Sequence, residues 1–135
     1  MRFYKFDRKF AKKKICVKRK RTLFRNILAW LEKKLMVNPD FEDKLPYVAH
    51  WYLEFDDENE PGREIGLDVN GQVIVKMPDE RNYGFWLDTC MKLDDFKRQF
   101  QLQPISEHEF NDLWNSVCYD WKEGKFKKNE GTYFL

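Results

Sequence analysis

The sequence predicts an α+β fold: a four-stranded antiparallel meander with helices packed on one face, preceded by a basic N-terminal extension. Three observations carry that expectation. Apolar residues recur at every second position in four short runs between residues 47 and 88. They recur at helical spacing in 22–37 and again in 106–121, on either side of those runs. Charge is partitioned along the chain, which separates an extension from a body.

The totals suit one domain. A chain of 135 residues can bury a single core, and an aromatic content of 17% offsets the 36% of charged residues that would otherwise suggest disorder. The net charge of +2 conceals the partition. Residues 1–37 carry fourteen Lys and Arg against Asp7 and Glu32, whereas residues 38–120 carry seven against nineteen Asp and Glu. The division expected is therefore a basic arm over 1–21 and a single α+β domain over 22–135.

Within the arm, Phe3, Phe6 and Phe10 fall at helical spacing while Ile15 and Val17 alternate as in a strand, so neither period prevails. Lys12, Lys13, Lys14, Lys18, Arg19, Lys20 and Arg21 form an anion-binding run suited to the phosphates of a nucleic acid, or equally a solubilising tail. Thr22 then caps a predicted helix with the stripe Phe24, Ile27, Leu28, Leu31 and Leu35, stopped by Asn38-Pro39. The basic start and "LFRNILAWL" imitate a signal peptide. Arg25 interrupts that apolar run, no small-residue cleavage site follows, and no run approaches bilayer-spanning length. Cys16, Cys90 and Cys118 lack any knuckle spacing, so the chain reads as reduced, soluble and cytoplasmic.

The meander occupies 47–55, 64–69, 72–77 and 84–88, with the odd-numbered residues as its buried face. At "DVNGQ" (68–72) a two-residue loop would split the apolar set between faces. A type I turn with Gly71 left-handed in a bulge pairs Asp68 with Gln72. Leu67 then faces Val73 and Ile65 faces Val75, and Asp68 accepts turn amides. A short helix is predicted over 92–100. A longer one spans 106–121: Ser106 and Glu109 form a capping box, and Phe110, Leu113, Trp114, Val117, Cys118 and Trp121 form its stripe. That stripe is expected to cover the odd face of the sheet, and a last extended segment falls at 133–135.

Motifs for chemistry are sparse. "DDENEPG" places Pro61 where a calcium loop needs glycine, and a loop begun at Asp68 has Gln72, Ile74 and Asp79 at ligand positions five, seven and twelve. His50, His108, Cys90 and Cys118 lack paired zinc spacing. Ser106 serves as a cap, Ser116 has no signature, and a Cys90 dyad with His50 or His108 has no local motif. No phosphate loop or dinucleotide fingerprint is present. The expectation is a non-enzymatic protein without cofactor or metal.

Binding is better supported. The face opposite the helices is expected to present Tyr52, Glu54, Trp86 and Asp88 beside the loop carboxylates Asp56, Asp57, Glu58 and Glu60. Exposed aromatics rimmed by acids suit a cationic protein partner. The rival reading is an ordinary solvated sheet face with a Glu64–Lys76 cross-strand pair.

The string "WYLEFDDENEPGREIGLDVNGQVIVKMPDERNYGFWLD" (51–88) resembles a module of small bacterial proteins, some of which look like immunity partners of polymorphic toxins. Its W-Y-x-E-F-D strand, R-E-I-G-L-D, G-x-V-I return and N-Y-G-x-W-x-D carry the resemblance, which leaves the basic arm outside. It implies an inhibitor that occludes a toxin domain. The alternative is nucleic-acid binding through the arm, with the acidic body as a platform.

Overall fold

A computed structural model describes residues 1–8, 38–80 and 82–129. The expected helix over 22–37, the basic run from Lys12 to Arg21 and the terminal segment at 133–135 lie outside the described residues. Within them the chain is α+β, a mainly antiparallel sheet with two α-helices.

The sheet has five strands, β1 (Arg2–Asp7), β2 (His50–Phe55), β3 (Pro61–Leu67), β4 (Val73–Met77) and β5 (Gln103–Ile105), in the order β4-β3-β2-β1-β5. The start of the expected arm is thus an interior strand, paired antiparallel to β2 from Arg2↔Phe55 to Asp7↔His50. Phe3 and Phe6 lie on opposite sides of it and are 5% and 3% exposed. Apolar residues on both sides erase the alternation that marks a one-sided strand.

Both sheet faces are covered, because two bulges redistribute the apolar residues. Leu67 faces Val73 as expected, and the Asp68–Gln72 turn is the predicted one. The Asp68 N–H donates to Gln72 O at 2.9 Å, Gly71 has φ 78°, and Asp68 Oδ1 accepts from the Asn70 and Gln72 amides. A shift between Gly66 and Leu67 then sets Gly66 against Val75 and Ile65 against Lys76. The expected Ile65–Val75 pair is therefore absent. Ile65 and Leu67 join one core with Phe3 and Phe110, while Val75 and Met77 join another with Phe6, Trp51, Leu53 and Phe55.

The larger core is closed by the 38–48 segment, the 84–91 segment and α1 (Leu93–Gln99), which contribute Phe41, Val48, Trp86, Met91, Leu93 and Phe96. Trp86 lies edge-on to Phe6, Trp51, Phe96 and Phe100, with centroids 5.2–5.7 Å away.

Residues 84–88 do not form the expected fourth meander strand. The backbone N–H groups of Phe85, Trp86 and Leu87 donate to the Glu64 carboxylate at 2.9, 2.9 and 3.1 Å, and a 3-10 turn follows at Leu87–Thr89. Donors bound to a carboxylate cannot extend a ladder.

The second helix, α2 (Glu107–Ser116), starts as expected, with Ser106 Oγ accepting from the Glu109 N–H at 3.0 Å. Its stripe meets the expected odd face only in part: Phe110, Leu113 and Trp114 pack on Ile65 and Leu67, but on Tyr52 of β2, whose odd residues Trp51, Leu53 and Phe55 face the other core. It also ends five residues early. Val117–Asp120 (β6) pairs with Lys125–Lys128 (β7), and the turn is held by Asp120 Oδ1 accepting from the Lys122 and Glu123 amides. Val117, Cys118 and Trp121 therefore belong to a hairpin and its turn, and Cys118 is an exposed thiol.

Candidate partner surface

The acidic loop after β2 is a constructed turn. Asp56 Oδ1 accepts from the Glu58 and Glu60 amides at 2.9 Å each, the Asp56 N–H donates to Glu60 O, and Asn59 has φ 64°. An Asx-type turn of this kind consumes Asp56 in holding the backbone. Asp57 and Glu58 are left to project, the Asp57 side chain 97% exposed with the N-terminal ammonium 3.8 Å away. Glu60 is half-exposed, with Lys92 Nζ 4.0 Å off.

A second acidic element joins this turn. The Leu93 N–H, at the start of α1, donates to Asn59 O at 2.9 Å, and Leu93 is buried beneath it. The bond places Asp94, exposed in the first turn of α1, beside the loop, together with Asp95, whose Oδ2 accepts from the Lys92 N–H. Asp57, Glu58, Glu60 and Asp94 thus form an acidic ridge built from two elements. Carboxylates in a helix's first turn also favour the helix dipole, which gives Asp94 a local reason to be there. The spacing of "KLDD" predicts the helix, but no sequence signal places it against residue 59.

The other expected contact residues are spent elsewhere. Glu54 is 8% exposed, facing α2. Arg63 grips it at both oxygens, Nη2 to Oε2 at 2.7 Å and Nε to Oε1 at 3.1 Å, and reaches Asn111 Oδ1 at 2.8 Å. The Arg63 guanidinium lies 4.9 and 5.1 Å from the rings of Phe110 and Trp114. Tyr52 is half-buried under α2, with Lys5 Nζ 5.7 Å from its ring. Trp86 is 4% exposed and is a core residue rather than a surface anchor. Asp88 lies within the 3-10 turn. An open sheet face of aromatics and acids is thus replaced by a face sealed under α2, and of the expected contact residues Asp57, Glu58 and Glu60 remain exposed or half-exposed, in the ridge.

Glu64 does not pair with Lys76 across the strands, where Ile65 stands instead. It points to the opposite, larger core and is fully buried. Desolvation pushes its carboxyl up to about 7, against the opposing pull of the three amides. Lys76 sits under α2 with its Nζ 4.6 Å from the Trp114 ring and 3.0 Å from Val117 O, and burial lowers its ammonium from the ordinary range.

The histidines each meet a carboxylate. His50 Nδ1 lies 2.5 Å from Asp7 Oδ1, and His108 Nε2 lies 3.0 Å from Asp112 Oδ2. Cys90 is exposed at the left-handed end of the 3-10 turn. Among the described residues no three His, Cys, Asp or Glu side chains converge as metal ligands, and no helix is long and apolar enough to cross a membrane.

The fold and the ridge define the chain at the level of an α+β domain with a preorganised anionic surface. No family model, no curated protein and no solved structure matches it.

Proposed function

We propose that this protein is a non-enzymatic binding module for a cationic protein domain, of the kind that blocks a toxin as its immunity partner. The observation that carries the reading is the Leu93 N–H···O Asn59 bond at 2.9 Å, which locks two acidic elements into one ridge. A rigid ridge presents Asp57, Glu58, Glu60 and Asp94 without an ordering cost at association, and like charges fixed together steer a basic partner. Toxin domains that act on nucleic acid need cationic surfaces, so an acidic ridge has the complementary sign. The resemblance of residues 51–88 to immunity-type modules points the same way.

The test is co-expression with the C-terminal domain of a secreted toxin encoded beside this gene. The wild-type chain should restore growth and bind the domain with an association rate that falls as salt rises. The triple variant Asp57→Lys, Glu58→Lys, Asp94→Lys should lose at least about tenfold in that rate. Unchanged protection and binding by the triple variant, or no binding by the wild type, sinks the proposal.

The second reading rests on the seven basic residues from Lys12 to Arg21. It expects DNA or RNA affinity that falls steeply with salt and is abolished by deleting residues 9–21. That deletion leaves the β1 strand in place.

A further inference from the structure

A cleft of about 980 Å³ opens at the His50 end of β2, the end opposite the acidic turn that follows Phe55, and the hairpin β6–β7 forms its far wall. Its lining is mixed. Tyr47, Ile74 and Phe126 supply apolar surface, while Arg8, Lys44 and His50 supply polar groups. The size matches sites that enclose a single drug-sized molecule.

The polar groups are arranged asymmetrically. Arg8 is anchored through Nη1, which donates to Leu45 O at 3.1 Å and Pro46 O at 2.7 Å. Its Nε and Nη2 have no acceptor among the described residues. Lys44 Nζ donates to Gly124 O at 2.7 Å and Tyr119 Oη at 3.1 Å, which holds its charge at the wall. The two carboxylates in the lining are both committed: Asp7 to His50 Nδ1, and Asp68 to the amides of its turn. His50 Nε2 has no partner among the described residues. The charge that remains for a ligand is positive, set beside apolar surface.

We propose that this cleft is a binding site for a small organic acid with a flat apolar body, its carboxylate taken by the free edge of Arg8 and its ring laid between Tyr47 and Phe126. A guanidinium anchored at one nitrogen keeps its remaining donors in a fixed plane, which suits the two oxygens of a carboxylate. Tyr47 is 72% exposed, a large ring held open to solvent at the mouth of a cleft rather than packed. The site is independent of the ridge and of the partner it is proposed to hold.

The experiment titrates the full-length chain with 2-naphthoate and, in parallel, the neutral 2-naphthamide, following backbone amide shifts by heteronuclear NMR. The expected result is a saturable shift of the Ala49, His50, Val69 and Phe126 amides with naphthoate, and affinity at least about tenfold weaker for the amide. Arg8→Gln should weaken naphthoate by about the same factor. Arg8 also braces the 45–46 turn, so a second pair avoids the fold altogether. Val69 is 80% exposed at the rim; Val69→Lys should tighten naphthoate and Val69→Glu should weaken it. Overturning results are an absence of saturable shifts, equal binding of acid and amide, shifts that map away from the cleft, or contacts showing residues 9–37 seated in it.

Discussion

The backbone N–H of Trp86 donates to Glu64 Oε2 at 2.9 Å inside a core where both residues are sealed from water. A carboxylate there satisfies three consecutive amides that the expected strand would have given to a neighbour. It carries a cost with a definite pH dependence. Glu64 titrates near 4.5 when unfolded and is raised to about 7 in the fold, so between those values the folded chain binds the extra proton. Stability contributed by this group is present below pH 4.5 and declines as pH rises through 7, by a total on the order of 3 kcal/mol. Asp79, also raised by desolvation, acts with the same sign. Urea midpoints measured from pH 5 to 8 should fall for the wild type and fall much less for Glu64→Gln. Parallel curves for the two proteins would show that Glu64 is not the titrating group.

Gly84 precedes those three amides with φ 147°, and a Cβ built there would sit 2.9 Å from Glu64 Oε2. Gly84→Ala should therefore destabilise by about 2–3 kcal/mol, through left-handed backbone strain and displacement of the carboxylate. Thermal unfolding followed by near-UV circular dichroism, which reports Trp86, measures it. A loss below about half a kcal/mol contradicts the close approach.

Arg63 holds Glu54 at two oxygens beneath α2. Removing the cation strands a buried anion, so Arg63→Ala should cost about 3 kcal/mol, while the double variant Arg63→Met with Glu54→Leu should recover most of it. Chemical denaturation of both variants decides this. If the double variant is no better than the single, the pair is not the source of the loss.

The ridge carboxylates separate by role. Asp56 accepts two amides, so Asp56→Ala should lower stability by about 1 kcal/mol and loosen the turn. Asp57→Ala should leave the unfolding midpoint unchanged while slowing association with a basic partner. Hydrogen exchange at Glu58 and Glu60, compared between the two variants, distinguishes them. Equal protection in both would contradict the assigned division.

Much of the architecture was legible because it rests on local signals. The α+β class, the Asp68–Gly71 turn and the Ser106 cap each follow from periodicity, turn chemistry or capping over a few residues, as do three strands expected at 47–55, 64–69 and 72–77 and found at 50–55, 61–67 and 73–77. The last turn of the predicted second helix failed because Val117, Cys118 and Trp121 fit a helical stripe equally well. The hairpin β6–β7 wins through pairing with Lys125–Lys128, a contact the helical pattern does not encode.

The candidate surface was only partly legible. Asp57, Glu58 and Glu60 are exposed or half-exposed as a charge-dense turn suggests, whereas Trp86 and Glu54 are buried. Placing those two outside assumed one bare sheet face, and strand alternation cannot say whether a second layer covers it.

What the sequence determined alone is the set of local elements: short-range periods, turns and caps, and the division of charge between its first 37 residues and the rest. The tertiary structure decided which face each side chain occupies. Two bulges shift the register of β2, β3 and β4, and each shift reverses the sides beyond it. The insertion of β1 between β2 and β5, and the bond from Leu93 to Asn59, likewise join residues far apart in the chain. Such contacts depend on the packing of whole elements, because their free energy comes from burying both partners together rather than from either segment's own preference.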